Sequence, residues 1–266
     1  MQIIGFRWKI NGSKEWEPLI IGKTDGIVEK IDILNQHILL SIGEKFCIGH
    51  YLGGIYKACP ENRRLHAGRY CENCSKTDDF FLCVQCVGSC INEKQREGCK
   101  ERNYYVYLAA FGSLLKVGIS LEHRFFERII EQGADFAAKV GYIKDGMLVR
   151  LVEQNIKKSL GIEDRIFGHQ KQDIILSDPN VSVRNLVGLI SRLRREFDLS
   201  LLEMYDLRKF YRLENIEKHP KKKYVKENMI IEGKVVAAKG NVLIFKNDDY
   251  FYSINAHDLI GREVEL

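Results

Sequence analysis

The chain has 266 residues, 45% hydrophobic and 29% charged, with a formal net charge of +5, the balance of a core-forming chain and not of a disordered or fibrous one. No run nears the roughly 18 apolar residues of a membrane helix, and Met1 to Gly5 lacks the basic start and apolar stretch of a signal peptide, so a cytoplasmic protein without membrane partners is expected. All eight cysteines fall between Cys47 and Cys99, and in a reducing compartment such a cluster points to metal before disulfides.

Residues 1–46 read as an N-terminal β unit: an alternating strand from Ile3 to Ile10, the turn pair Asn11-Gly12, an extended stretch from Pro18 to Gly22, and an apolar run from Ile38 to Ile42. Residues 47–102 form a cysteine-rich segment with too few large apolar groups for a core, so its folding is expected to need metal. Four of its cysteines read Cys71-x2-Cys74-x8-Cys83-x2-Cys86. Each Cys-x2-Cys pair turns two thiolates toward one centre, and two pairs make the tetrahedral four-sulfur shell that structural zinc prefers. One zinc is therefore expected on Cys71, Cys74, Cys83 and Cys86.

The remaining Cys47, Cys59, Cys90 and Cys99, with His50 and His66 nearby, leave a second zinc site open. Cys59, His66, Cys90 and Cys99 can flank the first site, or the sites can interleave, with Cys71 and Cys74 joined to Cys90 and Cys99. Spacing does not choose between them. Cys47 reads equally as a small buried apolar residue or a ligand.

From 103 to 177 the pattern is β-β-α-β-α: a strand from Tyr104 to Ala110, a tight connection at Gly112-Ser113, a partner strand from Leu114 to Ser120, a helix over 121–131 closed by Gly133, a third strand from Ala137 to Ile143, and a helix from Gly146 to Leu160. Residues 178–227 form a basic helical segment, broken from what precedes by Asp178-Pro179 and capped by Ser182, with Leu186, Leu189, Ile190 and Leu193 at helical spacing. A second helical stretch is expected from Ser200 to Tyr211. Residues 228–266 return to a small β unit, with strands from Met229 to Ala237, Val242 to Phe245 and Tyr250 to Ile254 joined by turns at Lys239-Gly240-Asn241 and Asn247-Asp248-Asp249. This unit fits a small barrel, or a sheet packed on the N-terminal β unit. The fold class is α+β.

From Arg184 to Lys226 there are twelve basic and six acidic residues. Such a strip, with Arg192, Arg195, Lys221, Lys222 and Lys223 as its candidates for nucleic-acid contact, attracts phosphate backbones by counterion release, and reads equally as a solvated helix face and loop.

Strand alternation puts Val106, Leu108 and Ala110 on one face of the hairpin with Leu115, Val117 and Ile119. The other face gathers Tyr105, Tyr107, Lys116, Gly118 and Ser120, where Gly118 would let a phosphate approach closely. The plain alternative is tyrosines covering a sheet with their hydroxyls in water.

The order Val106-Tyr107, Lys116-Val117-Gly118, Arg124, then Leu151-Val152-Glu153-Gln154 resembles the core of the GIY-YIG nuclease superfamily over about residues 103–162. That resemblance implies a GIY-YIG-like domain in which Tyr107, Arg124 and Glu153 serve an active site and Glu153 binds Mg2+ or Mn2+. Lys116 stands where the family's second tyrosine would be, and the hairpin is shorter than usual. The wider arrangement, with a cysteine-rich segment ahead of Val106-Tyr107-Leu108-Ala109 and Glu131-Gln132-Gly133-Ala134 behind, is similar to an uncharacterised prokaryotic family defined only as a domain of unknown function.

Phosphodiester hydrolysis needs a positioned water, charge stabilisation on the phosphoryl oxygens and help for the leaving oxygen. Tyr107, Arg124 and a metal on Glu153 fit those roles, with Lys116 as a phosphate contact. The reading is a zinc-stabilised nucleic-acid-binding protein, on DNA or RNA, with a Mg2+-dependent endonuclease as its enzymatic form. The alternatives are a non-catalytic nucleic-acid or ribonucleoprotein binding module and a protein-interaction scaffold.

Overall fold

The computed structural model describes residues 1–248 and 250–265, and its contacts separate into two units: Met1–Phe81 with Phe210–Leu266, and Leu82–Lys209. The expected cysteine-rich segment, 47–102, thus spans the junction at Phe81, and the basic segment, 178–227, spans that at Lys209. Among the described residues no helix is long and apolar enough to cross a membrane.

The first unit begins with a meander of β1 (Gln2–Ile10), β2 (Trp16–Thr24) and β3 (Ile27–Asp32), followed by β4 (His37–Lys45). The Asn11 side chain closes the first turn by accepting from the backbone N–H of Ser13 and of Glu15, both at 2.9 Å. A small hairpin follows, β5 (His50–Leu52) and β6 (Ile55–Lys57), and then the short α1 (Glu72–Thr77). The hairpin is entered through Gly49 at φ +85°, where any side chain would collide with the carbonyl of Lys57, so only glycine fits.

The second unit is entered within α2 (Phe81–Gln85), whose residues from Leu82 on belong to it, and continues with α3 (Glu93–Lys100). Its sheet comes from β7 (Asn103–Phe111), β8 (Leu114–Leu121), β9 (Phe136–Lys144) and β10 (Glu203–Asp206), ordered β10-β9-β7-β8 with every pair antiparallel. Between and after the strands lie α4 (Phe125–Gln132), α5 (Gly146–Leu160), α6 (Gly168–Asp173) and α7 (Pro179–Phe197). The strand-strand-helix-strand-helix order read from the sequence is present. Val106, Leu108, Val117 and Ala138 pack one sheet face against Val149, Ile156 and Leu160 of α5 and Leu186, Leu189 and Leu193 of α7. Phe125 of α4 meets the opposite face, its ring 5.5 Å from Tyr105 and 5.8 Å from Tyr107.

Two local expectations are corrected here. Asp178, not Ser182, caps α7, its carboxylate accepting from Asn180 N–H at 2.9 Å. Ser182 is instead fully buried, with its hydroxyl 3.1 Å from both the Gly112 carbonyl and the Asp135 carboxylate. The helix expected over Ser200 to Tyr211 is replaced by β10 and a 3-10 turn at Arg208–Phe210. The open edge of β9 offers backbone hydrogen bonds to Glu203–Asp206, and Tyr205 packs 4.7 Å from Phe126; tertiary pairing outweighs the weak helical propensity.

The chain then returns to the first unit with β11 (Lys221–Lys222), β12 (Met229–Lys239), β13 (Val242–Asn247), β14 (Tyr250–Asn255) and β15 (Arg262–Glu265). β12 hydrogen-bonds to β4, with Ile231 opposite Leu40, while β15 inserts between β4 and β1. Early and late strands therefore share one nine-stranded sheet, β11-β14-β13-β12-β4-β15-β1-β2-β3, instead of forming two β units. Trp8 ties the two parts together, donating its indole N–H to the Gly240 carbonyl at 2.8 Å and meeting Tyr211 edge-on. Asp249 of the expected 247–249 turn lies outside the described residues.

Candidate metal centre and a buried polar cluster

Cys47, Cys59, Cys71 and Cys74 bring their four sulfurs within 4.8 Å of one another. β4 and the hairpin after it create this meeting. Phe46 bridges to Arg64, and Cys47 N–H donates to the Arg63 carbonyl at 2.8 Å, so the loop carrying Cys59 folds back beside the end of β4. Cys71 caps α1 and Cys74 follows in its first turn, the knuckle geometry of a Cys-x2-Cys pair. The Cys59 and Cys71 sulfurs are 3.8 Å apart. A tetrahedron with metal–sulfur bonds of about 2.3 Å puts its sulfurs roughly 3.8 Å apart, so the donor set fits a thiophilic ion such as zinc.

Electrostatics agree with that chemistry. Burial pushes the Cys47 and Cys74 thiols up, and at Cys74 the crowding of Cys47, Cys71 and Cys59 adds to it. At Cys59 burial also opposes ionisation, but backbone N–H groups of Arg63 and Glu61 together with hydrogen bonds from Cys47 and Cys74 outweigh it and hold the thiol below its ordinary range. A bound cation supplies the charge that makes four adjacent thiolates tolerable.

This grouping corrects the expected tetrad. Cys71 and Cys74 keep company with Cys47 and Cys59, while Cys83 and Cys86 belong to the second unit with Cys90 and Cys99. The set Cys59, His66, Cys90 and Cys99 is likewise divided: Cys59 joins the first group, and His66 is exposed outside it. Cys47, which spacing left undecided, is a fully buried member.

In the second unit Tyr107 is wholly buried, its hydroxyl donating to Gln132 Oε1 at 3.0 Å. Burial pushes the phenol up, and Arg128 beside it pulls the other way. Gly118 pairs with Tyr107 across the hairpin, and a Cβ at Gly118 would lie 2.5 Å from the Tyr107 hydroxyl. The space expected to admit a phosphate is filled by the tyrosine ring. Tyr105 is partly buried against Phe125 and Tyr142, with the Lys139 ammonium 4.5 Å above its ring.

Lys116 is only 7% exposed and donates to the Asp164 carbonyl. Burial brings its pKa down to about 8, with Arg128 acting the same way and Glu153 and Asp164 opposing. Glu153 is 2% exposed, its carboxylate 2.5 Å from Arg150. Arg124 does not join this cluster. Its guanidinium forks onto Glu127 at 3.1 Å and reaches Glu131 at 3.8 Å, both on α4, which Arg124 immediately precedes. Arg128, one helical turn later, is the cation within reach of both Tyr107 and Lys116, and sequence reasoning missed it. Part of its signal was available: position 128 shares the helical stripe of Phe125 and Gln132, and although the residue is exposed its guanidinium reaches back to the Tyr107 hydroxyl.

The basic candidates are spread over both units. Arg192 lies 3.9 Å from Glu196 on α7, while Arg195 is exposed. Lys221 and Lys222 form β11, and the Lys223 ammonium sits 3.6 Å above the Tyr252 ring.

A mixed α+β architecture carrying a four-cysteine group of metal-binding geometry is the class these features define. The chain belongs to the family described as "Protein of unknown function (DUF2797)", whose profile matches residues 36–264. Comparison with curated proteins and with solved structures gave no significant match.

Proposed function

We propose that the chain is a zinc-stabilised nucleic-acid-binding protein whose second unit, GIY-YIG-like in the order of its elements, holds phosphate backbones without cutting them. The observation that carries this reading is the outer face of α7. Arg184, Arg194 and Arg195 are exposed there, opposite the buried Leu186, Leu189 and Leu193, and have no carboxylate partner among the described residues. Arg184 and Arg195 stand three turns apart, roughly 16 Å along the helix axis, a spacing that reaches more than one phosphate. Zinc belongs to Cys47, Cys59, Cys71 and Cys74. Cleavage is disfavoured because Glu153 is already neutralised by Arg150 and Tyr107 is closed off from solvent.

The test is binding of fluorescent single-stranded, duplex and branched DNA and RNA over a range of salt. Affinity should fall steeply with salt, and Arg184→Glu/Arg194→Glu/Arg195→Glu should weaken it at least tenfold and flatten the salt slope by about three contacts. Absence of binding at low salt would instead favour the protein-interaction scaffold.

A Mg2+-dependent endonuclease is the second reading, supported by the convergence of the buried Tyr107, Lys116 and Glu153 with the exposed Arg128. Under it Arg128 takes the phosphate-stabilising role expected of Arg124, and Glu153 exchanges Arg150 for Mg2+ or Mn2+. Cleavage lost in Tyr107→Phe and Glu153→Gln but kept in the exposed control Glu214→Gln would establish it over the binding module.

A further inference from the structure

We propose that Cys83, Cys86, Cys90 and Cys99 form a second zinc site, contained wholly in the second unit and separate from the first cluster. The four residues fall within a single short stretch, on α2, at its end, in the following loop and on α3.

Asn92 organises the group. It is 7% exposed, its side-chain amide donates to Cys83 Sγ at 3.2 Å, and its backbone carbonyl lies 3.4 Å from Cys90 Sγ, a contact available only while that thiol keeps its proton. An N–H directed at sulfur is the outer contact that holds a ligating thiolate in place. Tyr104 reaches Cys99 Sγ from β7 at 3.7 Å, and Cys99 lies so close to the first turn of α5 that a side chain at Gly146 would collide with its sulfur. Cys86, Cys90 and Cys99 are near enough to act on Cys83 electrostatically, but the four sulfurs stand wider than the 4.8 Å of the first group, so an ion would have to draw them together. Arg96 is within reach of Cys90 and Cys99 and supplies positive charge beside a four-thiolate shell, which around Zn2+ is net negative.

A second observation points the same way. Neither α2 nor α3 buries a single residue, and Val84, Val87 and Ile91 are exposed. Two helices of five and eight residues are far too short to persist alone. Among the described residues neither helix contributes a buried side chain, and the ring contact of Phe81 with Tyr70 at 5.5 Å lies at the very start of α2. The contacts that remain are polar or close-packed: Arg96 grips Asp145 through two bonds of 2.6 Å, and Gly88, at φ +107°, leaves room for the backbone of Leu151. A cross-link among four half-buried sulfurs supplies what hydrophobic burial does not.

The experiment uses the full chain, loaded with Zn2+. Metal analysis should find a second zinc per chain beyond that on Cys47, Cys59, Cys71 and Cys74. Residue-resolved alkylation by mass spectrometry should show Cys83, Cys86, Cys90 and Cys99 protected until a strong chelator is added. Cys90→Ser/Cys99→Ser should lose one zinc while the first four cysteines stay protected. The proposal is overturned if, in the unmodified protein, Cys83, Cys86, Cys90 and Cys99 alkylate at the rate of free thiols beside a protected first cluster. Masses showing disulfides among them would overturn it equally. Because labelling of the unmodified chain decides the matter, a variant that fails to fold does not.

Discussion

Lys116 carries its ammonium where solvent barely reaches it, among Arg128, Arg150, Glu153 and Asp164. Its pKa falls to about 8, burial being the largest cause, while in the unfolded chain it stays near 10.4. Between those values the unfolded chain holds more protons, so stability rises with pH across the window and the penalty is fully present below pH 8. The gain is about 3 kcal/mol. Urea unfolding of the parent and of Lys116→Met should show the difference between them moving in the parent's favour from pH 7 to pH 10.5; a constant difference would remove the buried cation from the account. Alternation along the strands was enough to put Tyr107, Lys116 and Gly118 on one face. What it could not supply was the cover, because α4 reaches that face only after a turn whose direction is a tertiary property. A face read as a polar surface is therefore an enclosed cluster.

Among elements, α5 was the most legible. Asp145 before it and Gly161 after it, at φ +63°, are strong start and stop residues, and the helix runs between them. The role of Asp145 beyond the cap was not legible. It sits at φ +84°, accepts from Met147 N–H at 2.8 Å and binds Arg96 through both oxygens. Arg96 first, then the cap, draw its pKa down to about 2 against the opposing effect of burial. That stabilisation is present above about pH 4 and is lost as the pH falls toward 2. Asp145→Ala should cost about 2–3 kcal/mol, losing cap and ion pair together, and Asp145→Asn less, since asparagine keeps the cap and tolerates positive φ. Chemical denaturation near neutral pH measures both. The stretch from Ser200 to Tyr211 was misread for the converse reason: its strand exists because β9 has an open edge, and no local pattern records a distant edge.

At the level of the whole molecule, the first cluster brings the chain after β4 together with the segment that leads into α1, and a metal held there would crosslink them. Cys74→Ser should hold one zinc fewer than the parent and lower the stability of the first unit by several kcal/mol. Trp8 and Trp16 both lie in that unit, so tryptophan fluorescence reports its unfolding, and a chelator should reproduce the variant's shift in the parent; unchanged stability in both would mean that the cluster carries no structural metal.

Taken alone, the order of residues determined the mixed α+β class, the positions of most strands and of α5, and the presence of a cysteine-rich stretch whose thiols could hold a metal. These follow from periodicity, turn chemistry and composition, all of which act over a few neighbouring residues. Only the tertiary structure decided that Cys71 and Cys74 share a centre with Cys47 and Cys59, that Arg128 and not Arg124 faces Tyr107, and that β12 and β15 complete a sheet begun at β1. Each is a matter of distance through space between segments far apart along the backbone. Cysteine spacing states which donors can form a turn, whereas the partner of that turn is chosen by the fold that brings a second pair within bonding range.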